Sequence, residues 1–146
     1  MLDKLKKIAY IVPMDILLDA SAIMAIILNE PNKEKIIKFT KNSIILSPEV
    51  ISFEIGNALI NLFRRGKITE EELLAAYRNF SLIPLRIIKV DIEKALKIAC
   101  KYKIYAYDAY YLETACRLKL SLITFDESMK RVGASLKINI LEKDQI

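Results

Sequence analysis

Four acids attract notice because each follows or adjoins a run of residues that must be buried. Asp19 follows the apolar triplet Ile16-Leu17-Leu18, and Asp126 follows the run from Leu120 to Thr124. Both runs read as strands buried on two faces. Glu54 lies on the helix that follows a third apolar run, Ile44-Ile45-Leu46. Asp108 opens a helix whose same-face neighbours are Tyr111, Leu112 and Ala115, so its carboxylate heads a core-facing stripe. In a parallel sheet all strands end at one edge, and ligands bind there. Four carboxylates brought to one edge repel each other unless a cation neutralises them. Oxygen-only donors select Mg²⁺ or Mn²⁺, and the work such ions do is phosphodiester hydrolysis. Singly, each acid has a plainer role. Asp19, Asp108 and Asp126 could cap helices, worth about 1 kcal/mol each, and Glu54 could pair with a surface cation.

What the composition lacks narrows the chemistry. The chain has no histidine, which removes Ser-His-Asp and Cys-His catalysis and the commonest zinc and iron ligand sets. Two cysteines, Cys100 and Cys116, are too few for a disulfide framework or a cysteine zinc site. Both fall on apolar helix faces, where buried reduced thiols are expected. A formal net charge of +5 suits a polyanionic partner, though an ordinary basic protein would share it. No apolar run approaches the roughly 18 residues needed to span a bilayer. The lysines and short apolar stretch before Met14 lack the length and cleavage site of a signal peptide. A cytoplasmic protein with no membrane association is expected.

At 146 residues and 53% hydrophobic, the chain suits one domain with a sizeable core. Residues 14–146 are expected to form it, with 1–13 an extension outside the core. Helices are expected over 20–28 and 33–40, the second with Ile36, Ile37 and Thr40 inward. Ser47-Pro48-Glu49 reads as a helix start, with an N-cap serine and proline at the first position. That helix, 48–65, buries Ile51, Ile55, Ala58, Leu59 and Leu62 and carries a polar stripe of Glu54, Asn57, Asn61 and Arg65. Gly66 caps its end. Thr69 and Glu72 form a capping box for a helix burying Leu73, Ala76, Tyr77 and Phe80. An extended segment over 85–90 precedes a helix over 91–103, with Ile92, Ala95, Leu96, Ala99 and Cys100 inward. A tyrosine-rich loop leads to Asp108, a helix to about 117, the strand 120–124 and a short helix through 131. Residues 137–141 alternate as an edge strand. Alternating β and α elements imply a three-layer α/β/α sandwich around a mostly parallel sheet.

Asp19-Ala20-Ser21, Pro48-Glu49 with Glu54 and Asn57, Tyr107-Asp108-Ala109-Tyr110-Tyr111-Leu112 with Ala115, and Thr124-Phe125-Asp126 together resemble the PIN-domain nucleases. The likeness is greatest to the VapC toxins of toxin–antitoxin pairs, and it runs in order over nearly the whole chain from residue 14. It implies an Mg²⁺- or Mn²⁺-dependent ribonuclease with Asp19, Glu54, Asp108 and Asp126 as metal-binding and catalytic acids. Ser21 and Thr124 match hydroxyl positions that hold a ligand water or phosphate oxygen, while Asn57 could orient a carboxylate. An antitoxin partner and a homodimer are implied, the helix over 69–80 being a candidate contact. Residues 1–13 have no counterpart in the pattern. For the grip on RNA, Arg64, Arg65, Lys67, Lys101, Lys103, Arg117, Lys130 and Arg131 are candidates. Tyr105 and Tyr107 could stack a base or belong to the core or a subunit contact.

Other acid-based readings fit less well. A haloacid-dehalogenase phosphatase needs a second Asp two residues after the first, where this chain has Ser21. A receiver domain needs an acidic pair that is absent, since Asp15 sits at the far end of the strand from Asp19. A housekeeping RNA-processing nuclease remains open, as does a non-catalytic RNA-binding or scaffolding domain of the same fold.

Overall fold

The computed structural model describes residues 14–142. The proposed extension over 1–13 lies outside them. Strand β1 (Asp15–Leu18) is followed by helices α1 (Ala20–Ile27) and α2 (Lys33–Thr40), then strand β2 (Ile44–Pro48). Helices α3 (Ile51–Arg64) and α4 (Glu70–Ser81) lead to β3 (Leu85–Ile88). The chain continues through α5 (Ile92–Tyr102), α6 (Ala106–Leu118), β4 (Ser121–Ile123) and α7 (Glu127–Ser135). The strands form one parallel sheet in the order β3-β2-β1-β4, flanked by the helices in a three-layer α/β/α arrangement.

This order contains one reversal. From β1 the chain steps outward to β2 and β3, then returns to place β4 on β1's other side. Register pairs Leu18 with Ile123, so Asp19 and Thr124 leave the sheet side by side. Parallel α/β sheets bind ligands at such a reversal. The central strands are what burial on two faces demands: Ile16, Leu17, Leu18 and Leu122 have no exposed surface.

One expected helix start is a strand end instead. Ser47 and Pro48 complete β2, pairing with Ile87 and Ile88, and α3 begins at Ile51 without a side-chain cap. Beyond Leu46, β2 has no partner in β1, so proline's missing N–H falls where no ladder bond is needed. Ser47 Oγ instead donates to the Leu18 carbonyl at 2.8 Å, tying the carboxyl ends of β1 and β2 together. The expected edge strand over 137–141 shrinks to a single parallel bridge between Leu122 and Ile140. The other caps follow expectation. Thr69 and Glu72 close a capping box on α4, and Gly66 takes a positive φ of 69° after α3.

Several residues expected inward are exposed: Ile37, Tyr77, Ile92, Leu96 and Cys100, while Cys116 is half-buried. Helix α5 accounts for three of them. It packs chiefly on α6, a helix rather than the broad face of the sheet, so only Ala95 is fully covered.

Glu113 is a charge inside the core, 2% exposed. Its carboxylate accepts from Arg117 Nε at 2.6 Å and from the Asp91 backbone N–H at 3.2 Å, while Arg117 Nη2 donates to the Lys89 carbonyl at 2.8 Å. This clasp fastens the connector after β3 to α6. Arg117→Ala leaves a buried carboxylate without its cation. It should lower unfolding free energy by about 2–3 kcal/mol, less than a wholly buried pair because the Arg117 side chain is 32% exposed. Urea unfolding measures this directly, and a change under about 0.5 kcal/mol would be the size of an ordinary surface substitution.

Candidate active site

Asp19 is 3% exposed at the tip of β1. It caps α1, Oδ1 accepting from the Ala22 backbone N–H at 2.9 Å and from Ser21 Oγ at 2.7 Å. On the other oxygen, Oδ2, it accepts a short bond from Thr124 Oγ1. The two hydroxyls also latch the next loop: Ser21 Oγ accepts from the Phe125 N–H, and Thr124 Oγ1 from the Asp126 N–H. Their hydroxyl protons go to Asp19, which a carboxylate buried this deeply requires. Asp126 is exposed and caps α7, Oδ1 accepting from the Met129 N–H at 2.8 Å. Capping is therefore a true role for Asp19 and Asp126. It does not exclude ligation, because each carboxylate oxygen carries two lone pairs. Asp108 caps nothing: Tyr105 is the N-cap of α6, and Asp108 lies within the first turn.

Glu54, in the first turn of α3, faces these acids. Its Oε2 accepts from Tyr111 Oη at 3.0 Å, whereas Oε1 is buried with no partner among the described residues. Asn57 was expected to orient a carboxylate. It is exposed on the neighbouring turn, and Tyr111, itself 1% exposed, does that work. The sequence held a signal for this. A tyrosine at i+3 from Asp108, on a core-facing stripe, needs an acceptor for its hydroxyl once buried.

Three of the acids, Asp19, Glu54 and Asp108, are raised by burial and by the charges of neighbouring acids. Burial raises the Asp19 carboxyl above its ordinary range, its hydrogen bonds oppose that, and the Asp126 charge adds to it. Burial likewise raises Asp108, with Asp126 and Asp19 adding repulsion. Glu54 is pushed up to about 7, by burial first, against the lowering effect of the Tyr111 hydroxyl, with Asp108 and Asp19 raising it further. Carboxyls raised together by burial and by like charges are more frequent at functional sites than elsewhere.

Among the described residues, no three acids stand close enough to form a ready-made cation cage. The residues nonetheless fit a hard divalent ion. All the donors are carboxylate oxygens, the charges are mutually destabilising without a counter-ion, and Glu54 Oε1 is a buried acceptor lacking a donor.

The basic residues divide. Arg64, Arg65 and Lys67 are exposed around the end of α3, and Lys101, Lys103 and Arg131 are exposed as well. Lys101 Nζ lies 5.4 Å from the Tyr102 ring centroid. Lys130 pairs with Glu127 at 3.2 Å. Arg117 is committed to Glu113, and lies nine residues or about 13 Å of helical rise beyond Asp108.

Fold and site together define an α/β protein with an acidic pocket at the reversal point of a parallel sheet. The chain belongs to the PIN domain family, whose profile matches residues 16–135. No match was found among curated proteins. Among solved structures, PAE2754 from Pyrobaculum aerophilum is 23% identical, with a TM-score of 0.63 over 85% of this chain and 90% of that one. DNA-bound VapBC from Salmonella typhimurium is 14% identical, with a TM-score of 0.64 over 88% and 97%. VapC20 from Mycobacterium tuberculosis is 15% identical, with a TM-score of 0.59 over 82% and 95%. At these identities the likeness is one of fold. Among the described residues, no helix is long and apolar enough to cross a membrane.

Proposed function

We propose that the chain is a divalent-metal-dependent endoribonuclease acting in the cytoplasm as the toxin of a toxin–antitoxin pair. The observation that carries the reading is the set of four carboxylates, Asp19, Glu54, Asp108 and Asp126, gathered near the sheet's reversal point, where Asp19, Asp108 and Asp126 repel one another and Glu54 is repelled by Asp19 and Asp108. Membership of the PIN family supports it. So does likeness to VapC20, described as cleaving the sarcin–ricin loop, and to a toxin–antitoxin complex from Klebsiella pneumoniae.

In this reading Asp19, Asp108 and Asp126 hold Mg²⁺ or Mn²⁺, directly or through water, and Glu54 assists through Oε1. When bound, such an ion lowers the pKa of water and stabilises charge on phosphate oxygens. The remaining work is done by the chain. Ser21 and Thr124 hold Asp19 in one rotamer, and Tyr111 holds Glu54 by one oxygen, leaving the other free. Because an acidic pocket repels RNA, the exposed cations Arg64, Arg65, Lys67, Lys101, Lys103 and Arg131 supply the grip on phosphates. A small antitoxin and a second copy of the chain are the proposed partners, with Leu74 and Tyr77 exposed on α4 for contact.

The deciding experiment is incubation of the purified chain with RNA in Mn²⁺ and in EDTA. Cleavage in the first alone is expected, and RNA binding without cleavage in either would leave a non-catalytic domain. Expression alone should slow growth, with rescue by a small protein encoded next to it; lack of toxicity would favour a processing role. Tyr111→Phe removes the bond that orients Glu54. Losing an outer partner of a ligand should weaken Mn²⁺ binding about tenfold by calorimetry, with the fold intact because the ring still fills its space. Unchanged affinity would mean Glu54 needs no such support.

A further inference from the structure

At the amino edge of the sheet, opposite the acids, a groove of about 200 Å³ opens between the end of α6, the start of β4 and the chain after α7. Its walls are mostly apolar: Ala115, Cys116, Leu120, Leu136 and Ile138. Cys116 and Leu136 are only half-buried there, and the exposed Lys119 and Lys137 bring positive charge to its rim. The first described residue arrives at this groove. Ser121 Oγ, which lines it, donates to Met14 Sδ at 3.2 Å and accepts from Asn139 Nδ2 at 2.9 Å. Strands β1 and β4 run parallel with Ile16 opposite Ser121, so the chain upstream of Met14 leaves beside the loop that walls the groove.

We propose that Ile8-Ala9-Tyr10-Ile11-Val12 docks into this groove of its own chain and clips α6 to the strand that follows it. Reach favours this segment. Val12 precedes Pro13, and the residue before a proline is driven to extended backbone. At about 3.3 Å per residue, Val12 lies roughly 7 Å and Ile8 roughly 20 Å upstream of Met14. Composition favours it too. In extended backbone Ile8, Tyr10 and Val12 share one face, with Ala9 and Ile11 on the other, and either face offers aliphatic groups whose removal from water is favourable. Charge sets the limit of the docked stretch. Lys4, Lys6 and Lys7 come just before it, and Lys119 and Lys137 on the rim repel them. A second copy carries the same residues, but here a single residue, Pro13, joins them to Met14. Their effective concentration at the groove therefore exceeds that of any copy free at micromolar levels. Helix α6 carries Asp108 and Tyr111, and β4 leads to Thr124 and Asp126. A clip between α6 and β4 thus steadies the spacing of the acids from the far edge of the sheet. The docking stands whether or not the chain cuts RNA.

The test uses the full chain with Cys100→Ser, so that Cys116 is its one native thiol. To this are added, in turn, Ile8→Cys, Ala9→Cys, Tyr10→Cys, Ile11→Cys and Val12→Cys. Under mild oxidation with copper phenanthroline, an intramolecular disulfide to Cys116 is expected at one or two of these positions, because a bridge needs Cα atoms within about 7 Å. In the otherwise unsubstituted chain, removing residues 1–13 should speed alkylation of Cys116 about tenfold or more, the factor set by one docked aliphatic side chain. The exposed Cys100 should react at the same rate as before and serves as the internal reference. Melting should fall by a few degrees. Disulfides at all five positions alike would describe a tether without a seat and overturn the proposal, as would disulfides at none. Equal alkylation of Cys116 with and without the segment also overturns it. A cross-link between two chains gives the groove to a neighbouring copy's segment, and the proposal fails. Should the shortened chain not fold, the cross-linking series in the full chain still decides.

Discussion

Replacing Asp19 with asparagine is expected to abolish metal-dependent RNA cleavage, on the order of a thousandfold or more, without lowering the melting temperature of the metal-free protein. The two halves of this expectation have separate causes. Asp19 is the most buried of the four acids and is held on both oxygens, so it is the fixed point of any ion shared among them. Neutralising it removes a full negative charge from the donor set. Yet asparagine keeps one oxygen for the Ser21 hydroxyl and the Ala22 N–H, so the cap on α1 survives. Thr124 would lose its acceptor on Oδ2, which is unfavourable. Against that stands the relief of a buried charge that burial and the nearby Asp126 disfavour. A variant with cleavage within tenfold of the parent would reduce Asp19 to a helix cap. One that fails to fold would show that the charge is structural, contrary to its raised carboxyl.

Much of this arrangement could be read from residue types in order. Apolar triplets marked the buried strands because parallel strands covered on both faces leave no room for alternation. Capping chemistry located α4, and parallel topology brought Asp19 and Asp126 to one edge. Other features depend on tertiary partners that a local pattern does not contain. Ser47-Pro48-Glu49 has every mark of a helix start, but β3 offers Pro48 and Glu49 a strand partner, and the Glu49 N–H continues the ladder to Ile88. Asn57, one turn beyond Glu54 on the same helix, is a residue that could steady it, or a plain surface amide. The hydroxyl that does so comes from Tyr111, 57 residues away. Ser21 and Thr124 were legible as residues beside Asp19, while their direction, toward the carboxylate rather than a ligand, required the register of β1 against β4. Apolar positions on α5 misled for a simpler reason. Periodicity reports which face is apolar, and the width of what covers it is set by the neighbour.

Metal-free protein should become less stable as pH rises from about 4.5 to about 7, and Mn²⁺ should raise the melting temperature more at pH 8 than at pH 5.5. Glu54 sets the window, because its carboxyl moves from an ordinary 4.5 to about 7 on folding. A raised folded value means that the folded chain holds the proton more tightly than the unfolded one. The stabilisation is then complete below the unfolded pKa and lost as pH climbs through the folded one. Asp19 and Asp108 shift in the same direction from 3.8 and add to the slope, each driven first by burial. The Asp126 charge sets against both of them, and Tyr111 Oη is the neutral donor on Glu54. Carboxylates stabilised as anions elsewhere in the chain work the opposite way, so the informative quantity is the difference between the parent and Glu54→Gln. That variant should flatten the slope between pH 4.5 and 7. A divalent ion bound as proposed would reverse the sign of the problem, since it would favour the folded, deprotonated cluster and stabilise it by mass action. Below about pH 7, where Glu54 takes up its proton, protons compete with it for the same oxygens. Equal Mn²⁺ shifts at the two pH values, or parallel curves for parent and Glu54→Gln, would mean that Glu54 and the three aspartates do not act as one site.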